Sequence, residues 1–123
     1  MSANLKVANF DSDTLTYKIV SDTTLTNVPN VDVPASSGVL LSGIMHNQGN
    51  AVIYIKISLT ATTVTVGTTV PDLTLMIPSG QSIRLTIPGG VAFTKLSFWS
   101  ADAPTTASNA STPTPIVVSF ITT

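Results

Sequence analysis

Along most of this chain, apolar and polar residues alternate one for one. Between residues 51 and 59 the odd positions Ala51, Ile53, Ile55, Ile57 and Leu59 are apolar, and Tyr54, Lys56 and Ser58 fall between them. Successive side chains of an extended backbone point to opposite faces, so this spacing predicts a long strand with one face on a core. Leu15, Tyr17 and Ile19 alternate in the same way with Thr14, Thr16 and Lys18. Leu73, Leu75 and Ile77 form a third set, ended by Pro78-Ser79-Gly80-Gln81. Ile83, Leu85 and Ile87 form a fourth, ended by Pro88-Gly89-Gly90. The last two sets are predicted to pair as a hairpin about their short Pro/Gly turn. Further strands are predicted at residues 39–45, 62–66, 92–100 and 116–121, with a weaker one at 5–10. Gly89-Gly90 lies between strands, not ahead of a helix, and reads as a turn rather than a phosphate cradle.

Eight or nine short strands with no segment of helical period predict an all-β fold: an antiparallel β-sandwich, jelly-roll-like, in a single domain over residues 1–123. Residues 1–13 are expected to form an edge strand or an arm. Residues 22–37, with Asn27, Pro29, Asn30 and Pro34, read as a loop crossing between strands. Residues 101–115 are Ala, Ser, Thr and Pro with one Asp and one Asn, and read as a mobile or a contact loop outside the core.

Composition changes this picture at the surface. The chain has five basic and six acidic residues; all the acids are Asp, and Glu is absent. Helices usually take their solvated face from Glu, Lys and Arg, so their scarcity argues against helices independently of the periodicity. Twenty Thr and fourteen Ser take their place, and β-branched Thr suits the outward side of a pleated sheet. A net charge of −1 gives no electrostatic grip on nucleic acid or an anionic membrane, so neither is expected as a partner. Area scaling predicts a folded surface of about 6,200 Å², enough burial for one core without the disulfides that a cysteine-free chain lacks. The first residues lack the pattern of a secretory leader, and the apolar runs are far shorter than a membrane span. A soluble protein, or part of a soluble assembly, is expected.

Reactive constellations are absent from the pattern. His46 is the single histidine, has no cysteine to join it, and is expected to be a hydrogen-bonding loop residue. Asp11-Ser12-Asp13 resembles the start of a calcium loop but lacks its continuation, and reads as a solvated turn. Asn109-Ala110-Ser111 is a glycosylation sequon whose use depends on secretion. Lys56, Arg84 and Lys95 read as solvated or paired charges on sheet surfaces. No catalytic, cofactor-binding or metal residue is predicted, no cofactor is expected, and the chain is expected not to be an enzyme. Phe98 and Trp99 are adjacent on one predicted strand and point to opposite faces. If Phe98 enters the core, Trp99 is outward and calls for a partner surface. The predicted partner-contact residues are Trp99 and Tyr54, with Pro104, Pro113 and Pro115 from the loop.

The run Ile77-Pro78-Ser79-Gly80-Gln81-Ser82-Ile83-Arg84-Leu85-Thr86-Ile87-Pro88-Gly89-Gly90-Val91-Ala92-Phe93 resembles a pattern in small virion proteins of tailed bacteriophages. There a Pro-x-Gly-Gln turn leads into an alternating strand, a Pro-Gly pair and an aromatic that opens the next strand. Those chains are also rich in Thr and Ser, poor in charge, and end in a short strand after a loose loop. The resemblance is to capsid cement, or decoration, proteins. It implies a β-sandwich or jelly-roll domain, often a homotrimer, bound to the major capsid protein on the capsid exterior of the virion and stabilising the head by bridging neighbouring subunits. It implies no catalytic residue. The alternatives are an adhesion component of a phage tail or fibre, and a carbohydrate-binding module with Trp99 and Tyr54 as a stacking platform.

Overall fold

The period-two stretches become eight strands: β1 (Leu5–Asp11), β2 (Thr16–Leu25), β3 (Gly38–Asn47), β4 (Ile53–Ser58), β5 (Leu73–Ile77), β6 (Ser82–Phe93), β7 (Ser97–Ala101) and β8 (Ile116–Thr122). They are seen in a computed structural model that describes residues 2, 4–11, 16–108 and 116–123. All paired strands are antiparallel, in a five-stranded sheet of order β1-β2-β8-β3-β6 and a three-stranded sheet of order β5-β4-β7. No helix occurs among the described residues. The pairing is nested, β2 with β8, β3 with β6 and β4 with β5. Residues 30–33 complete the series by pairing with β7: Asn30 and Phe98 exchange backbone bonds of 2.9 and 3.0 Å, and Val33 N donates to Leu96 O at 2.7 Å. This is the order of a ribbon folded over on itself into two sheets, and it gives the all-β sandwich that the alternation predicted.

The sheets close on each other through their inward positions. Val20, Leu40, Met45, Val118 and Phe120 from the larger sheet meet Ile53, Ile55, Ile57, Ile77 and Phe98 from the smaller, all buried. Phe98 and Phe120 join the two sheets edge to face, with ring centroids 5.0 Å apart and planes at 65°. Gly43 makes room for this pair, because a β-carbon there would lie 2.7 Å from Phe120 Cδ1. The accessible surface is 6140 Å², matching the scaling expectation.

Several boundaries depart from the periodicity. The predicted hairpin does not form: β5 pairs with β4 and β6 pairs with β3, in different sheets. The Pro78-Ser79-Gly80-Gln81 turn instead carries the chain from one sheet to the other. Asn47 holds that crossing. Its buried amide donates to Ala51 O at 2.7 Å and Ile77 O at 3.1 Å, and its backbone N–H donates to Gln81 O at 3.0 Å. Alternation reports which residues share a face but not which strand lies alongside, so two consecutive alternating strands can belong to different sheets.

Gly89-Gly90 does not end a strand either. β6 runs on to Phe93, and Ile87-Pro88-Gly89-Gly90 stands as a bulge between the pairs Ser42↔Thr86 and Leu40↔Val91. The predicted strand at 92–100 is split by Thr94 and Lys95, whose amides both bond to Leu59 O. No strand forms at 62–66. Thr68 N and Thr69 N bond back to Thr65 O, and Thr65 N bonds to Thr69 Oγ1, so this stretch uses local bonds in place of a ladder. β2 extends to Leu25, shortening the predicted 22–37 loop from its N-terminal side.

The bulge separates two glycine roles. Gly89 and Gly90 have φ of 77° and 76°, but a β-carbon meets nothing within 4 Å at Gly89, whereas at Gly90 it would lie 2.2 Å from Val39 Cγ1. Gly89→Ala should cost about 1 kcal/mol from the left-handed backbone alone. Gly90→Ala should cost at least twice as much, as urea denaturation would report; equal costs would mean that the bulge tolerates a side chain.

Candidate functional site at the outer sheet faces

A two-sheet sandwich has two outer faces, and this chain treats them differently. On the smaller sheet, Lys56 pairs across the ladder with Trp99, and Tyr54 pairs with both Ala101 and Met76. Trp99 is not outward-facing in the sense predicted. It and Phe98 alternate, and Trp99 lies outside the core cluster, yet it is only 1% exposed. Lys56 is likewise buried rather than solvated. Its ammonium donates to the carbonyl oxygen of Thr105, in the loop after β7, so that loop folds back over the sheet. Ser108 Oγ donates to Asp102 Oδ1 and tightens the same loop. The expected contact loop therefore begins as a cover for its own sheet. At the margin of this cover, Tyr54 is half-buried, Met76 is exposed and Pro104 is exposed. Pro113 and Pro115 lie outside the described residues.

The five-stranded sheet has an open outer face. Outward positions run across it in rows, Ala8, Ile19, Ile121, Ser42 and Thr86 in one, and Lys6, Ser21, Ser119, Ile44 and Arg84 in the next. Two shallow hollows adjoin at Ser42 and Ile121. One is lined also by Tyr17, Ile19 and Leu41, the other by Ile44, Arg84, Thr86 and Ser119. Ile44 is 48% exposed and Ile121 37%. Neither isoleucine stands out from one-face alternation, which does not mark them as partner contacts. A signal was present: Val117, Val118, Phe120 and Ile121 put apolar groups on both faces of β8, and Leu40, Leu41, Ile44 and Met45 do so on β3. Strands covered on both sides read this way.

The remaining polar groups are structural. His46 is in β3 rather than a loop, and its Nδ1 lies 2.7 Å from Oγ of Ser82, its cross-strand partner. Asp22, fully buried, accepts from Ser2 Oγ at 2.8 Å, from Thr24 N at 2.9 Å and, through Oδ2, from Asn30 Nδ2 at 2.9 Å. This cluster ties the start of the chain to the loop that pairs with β7. Lys95 forms an ion pair of 3.2 Å with Asp32, from a turn rather than a strand, while Arg84 is exposed on β6. Asp11 ends β1; Ser12 and Asp13, like the sequon, lie outside the described residues. Among the described residues, no group of three His, Cys, Asp or Glu is placed to hold a metal, and every buried side-chain polar atom has a partner. No known protein family, curated protein or solved structure matches this chain.

Burial lowers the Lys56 pKa from its ordinary value, and the Asp102 carboxylate offsets part of that shift. A lysine whose pKa is lower folded than unfolded releases its proton earlier on folding. Its contribution to stability therefore rises with pH between the folded pKa and the ordinary value near 10.5. The denaturant midpoint of the native protein should rise relative to that of Lys56→Met as pH climbs into that window, and keep a constant offset from it below. A constant gap throughout would show Lys56 to be solvated.

Proposed function

We propose that this chain is a non-enzymatic structural protein of a virion, a capsid cement protein that lies on the shell exterior and bridges neighbouring major capsid subunits. The observation that carries this reading is a surface with few charges and many apolar groups. Val7, Val28, Ile44, Val52, Val70, Met76 and Ile121 stand 37–72% exposed, in a chain with eleven charged residues. Such a surface is cheap to desolvate, because few ions lose water without gaining a partner. Cementing works by contact area, since separating two subunits must then also expose the buried cement interface. The resemblance of residues 77–93 to virion proteins points the same way.

The capsid-facing surface in this reading is the margin of the smaller sheet, where Tyr54 and Met76 are cross-strand neighbours and Pro104 lies in the adjoining loop. An adhesion role in a tail would use the same surface, and copy number and position on the particle separate the two. The 1% exposure of Trp99 speaks against a sugar-stacking platform made of Trp99 and Tyr54.

Particles lacking the protein should break at a lower temperature or force, and resistance unchanged by its removal would overturn the reading. Met76→Glu should weaken attachment to stripped particles at least about tenfold while leaving the fold intact, because it sets a charge in an apolar contact.

A further inference from the structure

We propose that a second copy of this chain covers the open face of the five-stranded sheet, forming an isologous pair about a two-fold axis. The pairing is independent of the virion reading and uses the face opposite the proposed capsid contact.

Size is the first argument. Five strands about 4.8 Å apart span roughly 24 Å, and ten residues at about 3.3 Å rise, as in β2 and β3, span roughly 33 Å. Shorter β1 and β8 reduce the face to an order of 700 Å². A standard interface buries about 600–1,000 Å² per partner, so a matching face lies within that range, in its lower half.

Shape is the second. Ile44 projects from β3, and the hollow lined by Tyr17, Ile19 and Leu41 lies one row away, beyond Ile121 and Ser42. A two-fold axis lying in the interface between knob and hollow seats each Ile44 in the other copy's hollow. The same axis brings together two sheets of equal twist, the condition for aligned face-to-face packing.

Charge and edges complete the case. On the described outward positions of this face the charged side chains are Lys6 and Arg84, on the two edge strands, so the centre is uncharged and the rim is polar, the anatomy of an interface. Pairing along the edges is discouraged, because Pro88 and the four-residue bulge interrupt β6 and Lys6 occupies β1. The apolar outer positions of the neighbouring strands β3 and β8 then have the cover that their two-sided pattern calls for. A contact using one patch on both copies is two-fold, unlike the trimer that the resemblance implies.

Sedimentation equilibrium of the purified full chain tests this. The native protein should have twice the chain mass, and Ile44→Arg should raise the dissociation constant at least about 30-fold. Thr86→Arg, at an exposed polar position that packing does not constrain, should weaken pairing in the same direction. Met76→Glu, on the opposite face, should leave the pair unchanged. A monomer at all accessible concentrations, a threefold mass, or a dimer insensitive to both arginine variants would overturn the proposal. Because Met76→Glu is read here without capsids, failure of the pair and failure of the cement reading remain separate results.

Discussion

Every strand has two faces, and a sandwich of two sheets can bury only the inner one of each. That geometric limit governs the rest of this molecule. The inner faces are settled by ordinary hydrophobic packing, with Phe98 against Phe120 at the join between sheets. The outer faces need separate solutions, and the chain adopts two. It folds the loop after β7 across the smaller sheet, and it leaves the larger sheet open.

The first solution buries groups that are costly to bury. Lys56 and Trp99 are both buried on this side, and the carbonyl oxygen of Thr105 accepts a hydrogen bond from the lysine. A buried ammonium is tolerated when its hydrogen bonding is satisfied, so loop and sheet depend on each other. The second solution is chemical rather than structural. Ser, Thr and Ile occupy the open face where Lys and Glu would stand on an ordinary solvated sheet. That substitution lowers the cost of covering the face and gives up the solubility that charge provides. Few lone domains would gain from this choice.

What could be read from the residues followed from what alternation reports. The class, the strand count and most inward residues were legible, because Ile53, Ile55 and Ile57 can share a face only on a strand. Partner choice was not. The turn at residues 78–81 looks like a hairpin turn, and only the amide of Asn47, reaching three backbone carbonyls, reveals that it crosses between sheets. Gly89-Gly90 hid a bulge for the same reason, since both a turn and a bulge require glycines at positive φ. Trp99 lies outside the core cluster and yet is buried, and burial on that side of a strand has no local signature in the sequence. The two-sided apolar pattern of β3 and β8 was visible, and its meaning emerged only once both were seen at the centre of one open sheet.

The unequal outer faces are the centre of this account, and contacts between copies test them most directly. A sample mixing isotope-labelled and unlabelled chains allows filtered NMR detection of nuclear Overhauser effects that arise only between molecules. Such contacts are expected from the Ile44 methyl groups to Tyr17 and Leu41 of the other copy, and none to Trp99. Intermolecular contacts absent from Ile44, or found instead at Trp99 and the smaller sheet, would contradict it.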